Sequence, residues 1–309
     1  MKRIFFTFAA IVFLSFSTIS WAQVHITTNS DSTDWNEFEE WKSPMKRFNI
    51  TSPTLQIFWG INAPLFNENV FAGKMSKVGN IQINMGSTTE KEIISKEHIN
   101  RYKYNGIFLN LYNDSYSSTK PTPYDFSTNA IQFGFSDVTG YGYQIGENGS
   151  IILFVGGSIN WTKLDYTFPS KFGNSKTESN NYTTNYQTLD VYDRVFRFGQ
   201  DFESGIRIKV IKPISIVGSY ERELIFPRHL FFQWILSEGI EGIANAIVDK
   251  FSKEVIKSTP YAGPIVYYVL KTGLAYGYYE LRKSKMNWPF NSAMPMQIET
   301  FKIGMSFEF

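Results

Sequence analysis

The sequence predicts an all-β chain folded as a transmembrane, antiparallel, up-and-down β-barrel of about 8–10 strands, with an amphipathic helical insertion before the last strand. Three observations carry this. The nine residues Phe301 to Phe309 place apolar side chains at all five odd positions, with charged, hydroxylated or glycine residues between them. Strict period-two alternation suits a strand with one face on lipid and the other on a polar interior. Lys2 and Arg3 precede a hydrophobic run from Ile4 to Ile19, and Ser20-Trp21-Ala22 then sets small residues where a signal peptidase reads them, so residues 1–22 read as an export signal and the mature chain as starting at Gln23. The chain has a mean hydropathy of −0.21 and 17% aromatic residues. It has no second apolar run of about 18 residues, which excludes an ordinary helical membrane protein.

Removing residues 1–22 removes two of the 30 Lys+Arg and none of the 28 Asp+Glu, leaving 28 of each and a formal charge of zero. Nothing in that balance points to nucleic acid. There are no cysteines, so disulfide scaffolds, thiolate metal sites and a lipoprotein anchor are excluded.

Residues 23–52 are polar and contain a short amphipathic helix over Thr33 to Lys42, where Trp35, Phe38 and Trp41 recur at three-residue spacing among Asp34, Glu37, Glu39 and Glu40. Acidic residues at its front and Lys42 at its back suit the helix dipole. This segment is expected at the periplasmic mouth or the membrane interface, with docking on a partner protein as the alternative. From residue 53 to 309 the period becomes two. Alternation marks strands around Leu55 to Ile61, Ile81 to Met85, Ile107 to Leu111, Ile131 to Phe135 and Ser150 to Thr162, the last carrying Trp161 at a girdle position.

Asp201 to Leu224 is the clearest hairpin. Phe202, Ser204, Ile206, Ile208 and Val210 share one face and Glu203, Gly205, Arg207 and Lys209 the other; after a tight turn at Lys212-Pro213, Ile214, Ile216, Gly218 and Tyr220 alternate with Ser215, Val217, Ser219 and Glu221. Asp165 to Asp193 is long and polar and is expected outside the cell, since such barrels keep short turns on the periplasmic side. The helical insertion is expected over about 228–260. There Ile240, Ala244, Ile247, Phe251 and Val255 form an apolar face opposite Glu241, Asn245, Asp249 and Lys253. It would cap the outer mouth, plug the lumen or bind a second protein. Ile265 to Lys283 reads as a tyrosine-rich strand, with a second helix as the alternative, because aromatics crowd it and Gly273 and Gly277 weaken a helix. This gives eight or nine strands, where an even number is required.

The closing strand resembles that of the outer-membrane β-barrel superfamily, with Phe301, Ile303, Met305, Phe307 and Phe309 matching its assembly signal. The resemblance implies an outer-membrane location, with outer-membrane lipid and the barrel-assembly machinery as partners; the amphipathic N-terminal helix and helical insertion add the expectation of a further protein partner at one of them. The frequent Asn, Tyr, Lys and Phe also resemble exported proteins of the Bacteroidota.

The interior face carries Glu203, Arg207, Lys209, Glu221 and Glu223, joined on the closing strand by Lys302 and Glu308. Both signs occur in similar number. In a narrow barrel such a set is expected to pack as an ion network that fills the lumen, whereas a lining of one sign would suggest an ion-selective channel. No catalytic residues are assigned. His25, His98 and His229 are widely separated and pair with no nearby serine, no HExxH spacing occurs, and the glycine pairs lack a phosphate-binding context, so no cofactor or metal is expected. Two functions follow: a non-enzymatic outer-membrane barrel with a structural or partner-binding role, such as an accessory subunit of a secretion or envelope-assembly complex, or a pore for a small or hydrophobic solute. An outer-membrane lipid hydrolase is a distant third.

Overall fold

The computed structural model describes residues 51–65, 75–94, 97–117, 125–167 and 188–309. The export signal, the Thr33 to Lys42 helix with Trp35, Phe38 and Trp41, and most of the Asp165 to Asp193 loop lie outside the described residues.

Eight strands form a closed ring: β1 (Thr51–Leu65), β2 (Val78–Ile94), β3 (Ile99–Asn113), β4 (Ser127–Ile145), β5 (Gly149–Thr167), β6 (Phe196–Ile211), β7 (Ile214–Ile225) and β8 (Met296–Glu308). Each pairs antiparallel with its sequence neighbour, and β8 closes on β1 through Leu55↔Phe307 and Trp59↔Ile303. The connections β2–β3, β4–β5 and β6–β7 are short and join strands at one end of the ring, the turn end; at the other, the loop end, lie the described residues 75–77, 114–117, 125–126, 188–195 and 226–295. Following paired residues from Ile303 through β1 and β2 reaches Leu111 on β3; following them through β7, β6, β5 and β4 reaches Arg101, ten residues away on the same strand. That stagger on eight strands tilts them by about 40° to the axis and leaves a bore that side chains can fill.

Alternation decides which face is which. Ile57, Trp59, Ile83, Leu109, Phe133 and Met305 stand exposed on the outer wall, while Gln56, Asn84, Asn110, Gln132 and Lys302 are buried inside. Trp161 lies on the outer wall between Phe133 (5.6 Å) and Phe198 (5.9 Å), and its strand runs on to Thr167. Inward glycines make room for inward rings. Gly134 faces Phe108 across the β3/β4 ladder, and a Cβ there would lie 2.8 Å from the Phe108 ring. Gly134→Val is therefore expected to overpack the lumen and cost about 1–3 kcal/mol, measurable as a lower urea midpoint for the heat-modifiable gel shift.

Between β7 and β8 the chain forms two helices, α1 (Phe231–Ser258) and α2 (Gly263–Arg282). This corrects the strand expected over Ile265 to Lys283 and leaves eight strands. Pro264 opens α2 in its first turn, Gly273 and Gly277 sit where an added Cβ would meet nothing within 4 Å, and Tyr267, Ala275, Tyr279 and Arg282 recur at helical spacing as its buried face. Tertiary packing of that face overrides the strand preference of the tyrosines.

The hairpin also corrects the expected placement. It neither plugs the bore nor caps it, but runs down the outer wall of β4, β5 and β6. At the loop end Trp234 Nε1 donates to Gln200 Oε1 (2.8 Å), and Tyr279 donates to Glu299 (3.1 Å). At the turn end Tyr141 meets Tyr267 edge-on (4.7 Å), Tyr143 donates to the Tyr261 carbonyl, and Ile256 packs with Val155. The expected faces of α1 are reversed: Ile247 and Phe251 are exposed, while Glu241, Asn245 and Asp249 turn toward the rest of the hairpin.

Candidate functional site

The lumen is built in layers from residues that alternate inward on six or more strands. Nearest the turn end, Arg207 and Lys209 on β6 cross to Glu90 on β2 and Glu308 on β8. Arg207 Nη1 lies 3.3 Å from Glu90 and its Nη2 contacts Glu308; Lys209 Nζ lies 3.0 Å from Glu90 and 2.9 Å from Glu308. Glu90 also accepts hydrogen bonds from Ser150 Oγ (2.8 Å) and Asn100 Nδ2 (3.0 Å), and the Arg207 guanidinium stands 4.9 Å over the Tyr102 ring. Arg207 has no solvent exposure. Charge-assisted, multiply bonded geometry of this kind is what a buried guanidinium requires.

Next comes an aromatic and aliphatic layer of Phe58, Tyr102, Tyr104, Val138, Ile152, Phe154 and Val217. A cavity of about 20 Å³ lies among Gln56, Phe58, Asn84 and Tyr104, room for about one water molecule. Above it Lys302 Nζ, fully buried, sits 3.2 Å from Glu203 and 3.2 Å from Gln82 Oε1, in contact with Glu221. A polar ladder follows: Asn80 donates to Asn110 (2.9 Å), Asn110 and Tyr112 donate to Gln132 Oε1 (3.2 and 2.9 Å), and Gln132 and Thr162 donate to Glu223 (2.5 and 3.1 Å). At the loop end Met75, Phe126, Leu164, Tyr166, Tyr192 and Ile298 form a dry cluster over the bore.

The seven charged residues singled out from the sequence therefore fall into two groups and one separate member. Arg207, Lys209 and Glu308 meet at one level, Glu203, Glu221 and Lys302 at another, and Glu223 joins neither, being held by neutral donors. Glu90 and Asp201 belong to the same interior and were not read from the sequence. Asp201 accepts from Ser158 Oγ and, at 3.4 Å, from Asn160. The continuing even-numbered series Gly86, Thr88, Glu90 on β2 is the signal that could have found Glu90. Phe301, Ile303 and Met305 lie exposed on the outer wall of β8, and Phe309, just beyond its end, is exposed as well.

His98 pairs with Glu92 (3.2 Å) on the turn-end surface. His229 stacks on Phe198 (4.3 Å), and burial there pushes its pKa below the usual histidine value. Among the described residues no group of three or more His, Asp or Glu side chains is placed to hold a metal ion.

No family model and no curated protein matches the chain. Among solved structures it is similar to Neisserial surface protein A (9% identity, 83% of this chain and 97% of that one, TM-score 0.37). It is also similar to Ail, the attachment invasion locus protein of Yersinia pestis (8%, 84% and 99%, TM-score 0.31), and to a major outer membrane protein of Thermus thermophilus (10%, 82% and 99%, TM-score 0.28). At these scores none of the likenesses bears on function.

Proposed function

We propose that the chain is a non-enzymatic integral outer-membrane β-barrel with a structural or partner-binding role, the accessory subunit of a secretion or envelope-assembly complex being the specific form of that role. The observation that carries this is the lumen. Ion pairs cross it from wall to wall at two levels, with a packed aromatic layer between them and a dry cluster above. A closed ring satisfies every strand's neighbours, the condition for crossing hydrocarbon without open edges, and its outer wall exposes Ile57, Ile83, Leu109, Phe133 and Met305. The export signal expected over residues 1–22 agrees with that location. Outer-membrane lipid meets this wall, and the barrel-assembly machinery reads Phe301 to Phe309. The remaining task falls to surfaces outside the bore, and the aromatic spacing of Trp35, Phe38 and Trp41 in the sequence is proposed as a partner contact.

Reconstituted in planar bilayers, the protein is expected to show no steady conductance, and extraction in mild detergent is expected to bring a stoichiometric companion. Steady single-channel openings with no companion would overturn the proposal in favour of a small-solute pore. Because α1 lies on the outer wall, deleting it is expected to leave permeability unchanged.

A further inference from the structure

We infer that the α1–α2 hairpin is itself immersed in the membrane beside the barrel, with its outward face against lipid acyl chains. This rests on the reading of the ring as a membrane barrel and goes beyond it, since strands alone would do the crossing there.

The polarity of the hairpin is inverted relative to a helix pair in water. The acidic residues of α1 point at α2, where Arg282 lies 2.9 Å from Glu238 and 2.7 Å from Glu241, and Lys271 lies 2.9 Å from Asp249 and 2.8 Å from Asn245. Phe232, Leu236, Ile243, Ile247 and Phe251 face away from the barrel, Phe232 with 81% of its surface exposed. From Phe231 to Asp249 no exposed residue carries a charge; Lys250, Lys253, Glu254 and Lys257 then crowd the turn-end tip, and Glu280 marks the loop end of α2.

The stretch without an exposed charged residue is nearly 20 residues, about 30 Å of helix, equal to the thickness of a hydrocarbon layer. The hairpin as a whole follows the wall from Gln200 near the loop end, which Trp234 meets, to Tyr143 near the turn end, which meets Tyr261 at its tip, so the apolar face of α1 stands beside the exposed apolar wall of the ring. Neither helix is long and apolar enough to count as a membrane span on hydropathy. Glu238, Glu241, Asp249, Lys271 and Arg282 are paired with one another inside the hairpin, which is how ionisable groups are accommodated at membrane depth.

The chain has no cysteine, so single-cysteine variants can be spin-labelled in the full-length protein reconstituted in phosphatidylcholine vesicles. Ile243→Cys reports the hairpin face, Ile83→Cys the barrel wall and Lys253→Cys the charged tip, with Ile247→Cys as a second hairpin position. Collision with dissolved oxygen relative to a water-soluble nickel chelate is expected to be similar at residues 243, 247 and 83, and several-fold lower at 253. Nickel access at 243 and 247 with lipid-like values at 83 would overturn the inference and leave the barrel standing. Shielding of 243 and 247 from both reagents would overturn it in favour of a protein partner on that face. Nickel access at 83 would sink the barrel reading and this inference together.

Discussion

Lys302→Met is expected to be the most damaging single change in the lumen, lowering stability by about 3–5 kcal/mol, the range for breaking a buried ion pair from one side. Lys302 has no solvent exposure and is placed against Glu203, Glu221 and Gln82. Methionine fills much the same volume, so the loss is electrostatic: two carboxylates remain in the bore without their cation, with Asp201 nearby on β6. The measurement is a urea titration of vesicle-inserted protein followed by the heat-modifiable gel shift. Adding Glu221→Gln to Lys302→Met is expected to recover part of the loss, because it removes one of the stranded charges. If Lys302→Met leaves the midpoint unmoved, the central cluster does not hold the ring together.

The second large effect is expected at Glu90→Ala. This removes the partner of Arg207 (3.3 Å) and Lys209 (3.0 Å) and the acceptor for Ser150 and Asn100 in one step. Two cations then share Glu308. That carboxylate and the slight exposure of Glu90 soften the loss, so the expected cost is about 2–3 kcal/mol, below the range for a pair broken outright. Combining Glu90→Ala with Lys209→Ala rebalances the layer as one cation against Glu308. The urea midpoint should rise from that of the single variant, and a further fall would refute the account of this layer.

These two residues also show what was legible in the sequence. Lys302 lies on a strand whose outer positions are Phe, Ile and Met, so alternation points it inward without ambiguity. The β6/β7 hairpin is legible for the same reason, and it delivers Glu203, Arg207, Lys209 and Glu221. Glu90 lies on the half of β2 where the outward residues are Ser87, Thr89 and Lys91. With polar groups on both faces hydropathy no longer marks which side is inward, and only carrying the even-numbered series on from Asn80, Gln82 and Asn84 aims Glu90 into the bore. The dry cluster at the loop end could not be read either, since Met75, Phe126, Tyr192 and Ile298 come from separate connections and strands with no shared local pattern.

The helices were misjudged for a different reason. A helix's apolar side is ordinarily its buried side, and that rule assumes water on the other. In α1 the rule assigned Ile247 and Phe251 to an interior they do not occupy. The crowd of tyrosines in α2 argued for a strand, yet Tyr267 and Tyr279 serve as ring contacts against a wall already complete.

The way the ring is closed has a consequence for its assembly. β8 must find β1, whose residues it meets across some 250 positions of sequence, as at Leu55↔Phe307, and only after the chain has detoured through residues 226–295. Until that zipper forms, seven strands present two raw borders, each able to recruit a foreign strand. Contacts so distant along the chain form slowly, so the unfinished sheet is the stage at which this protein is exposed to aggregation, and the one at which an escort would matter most.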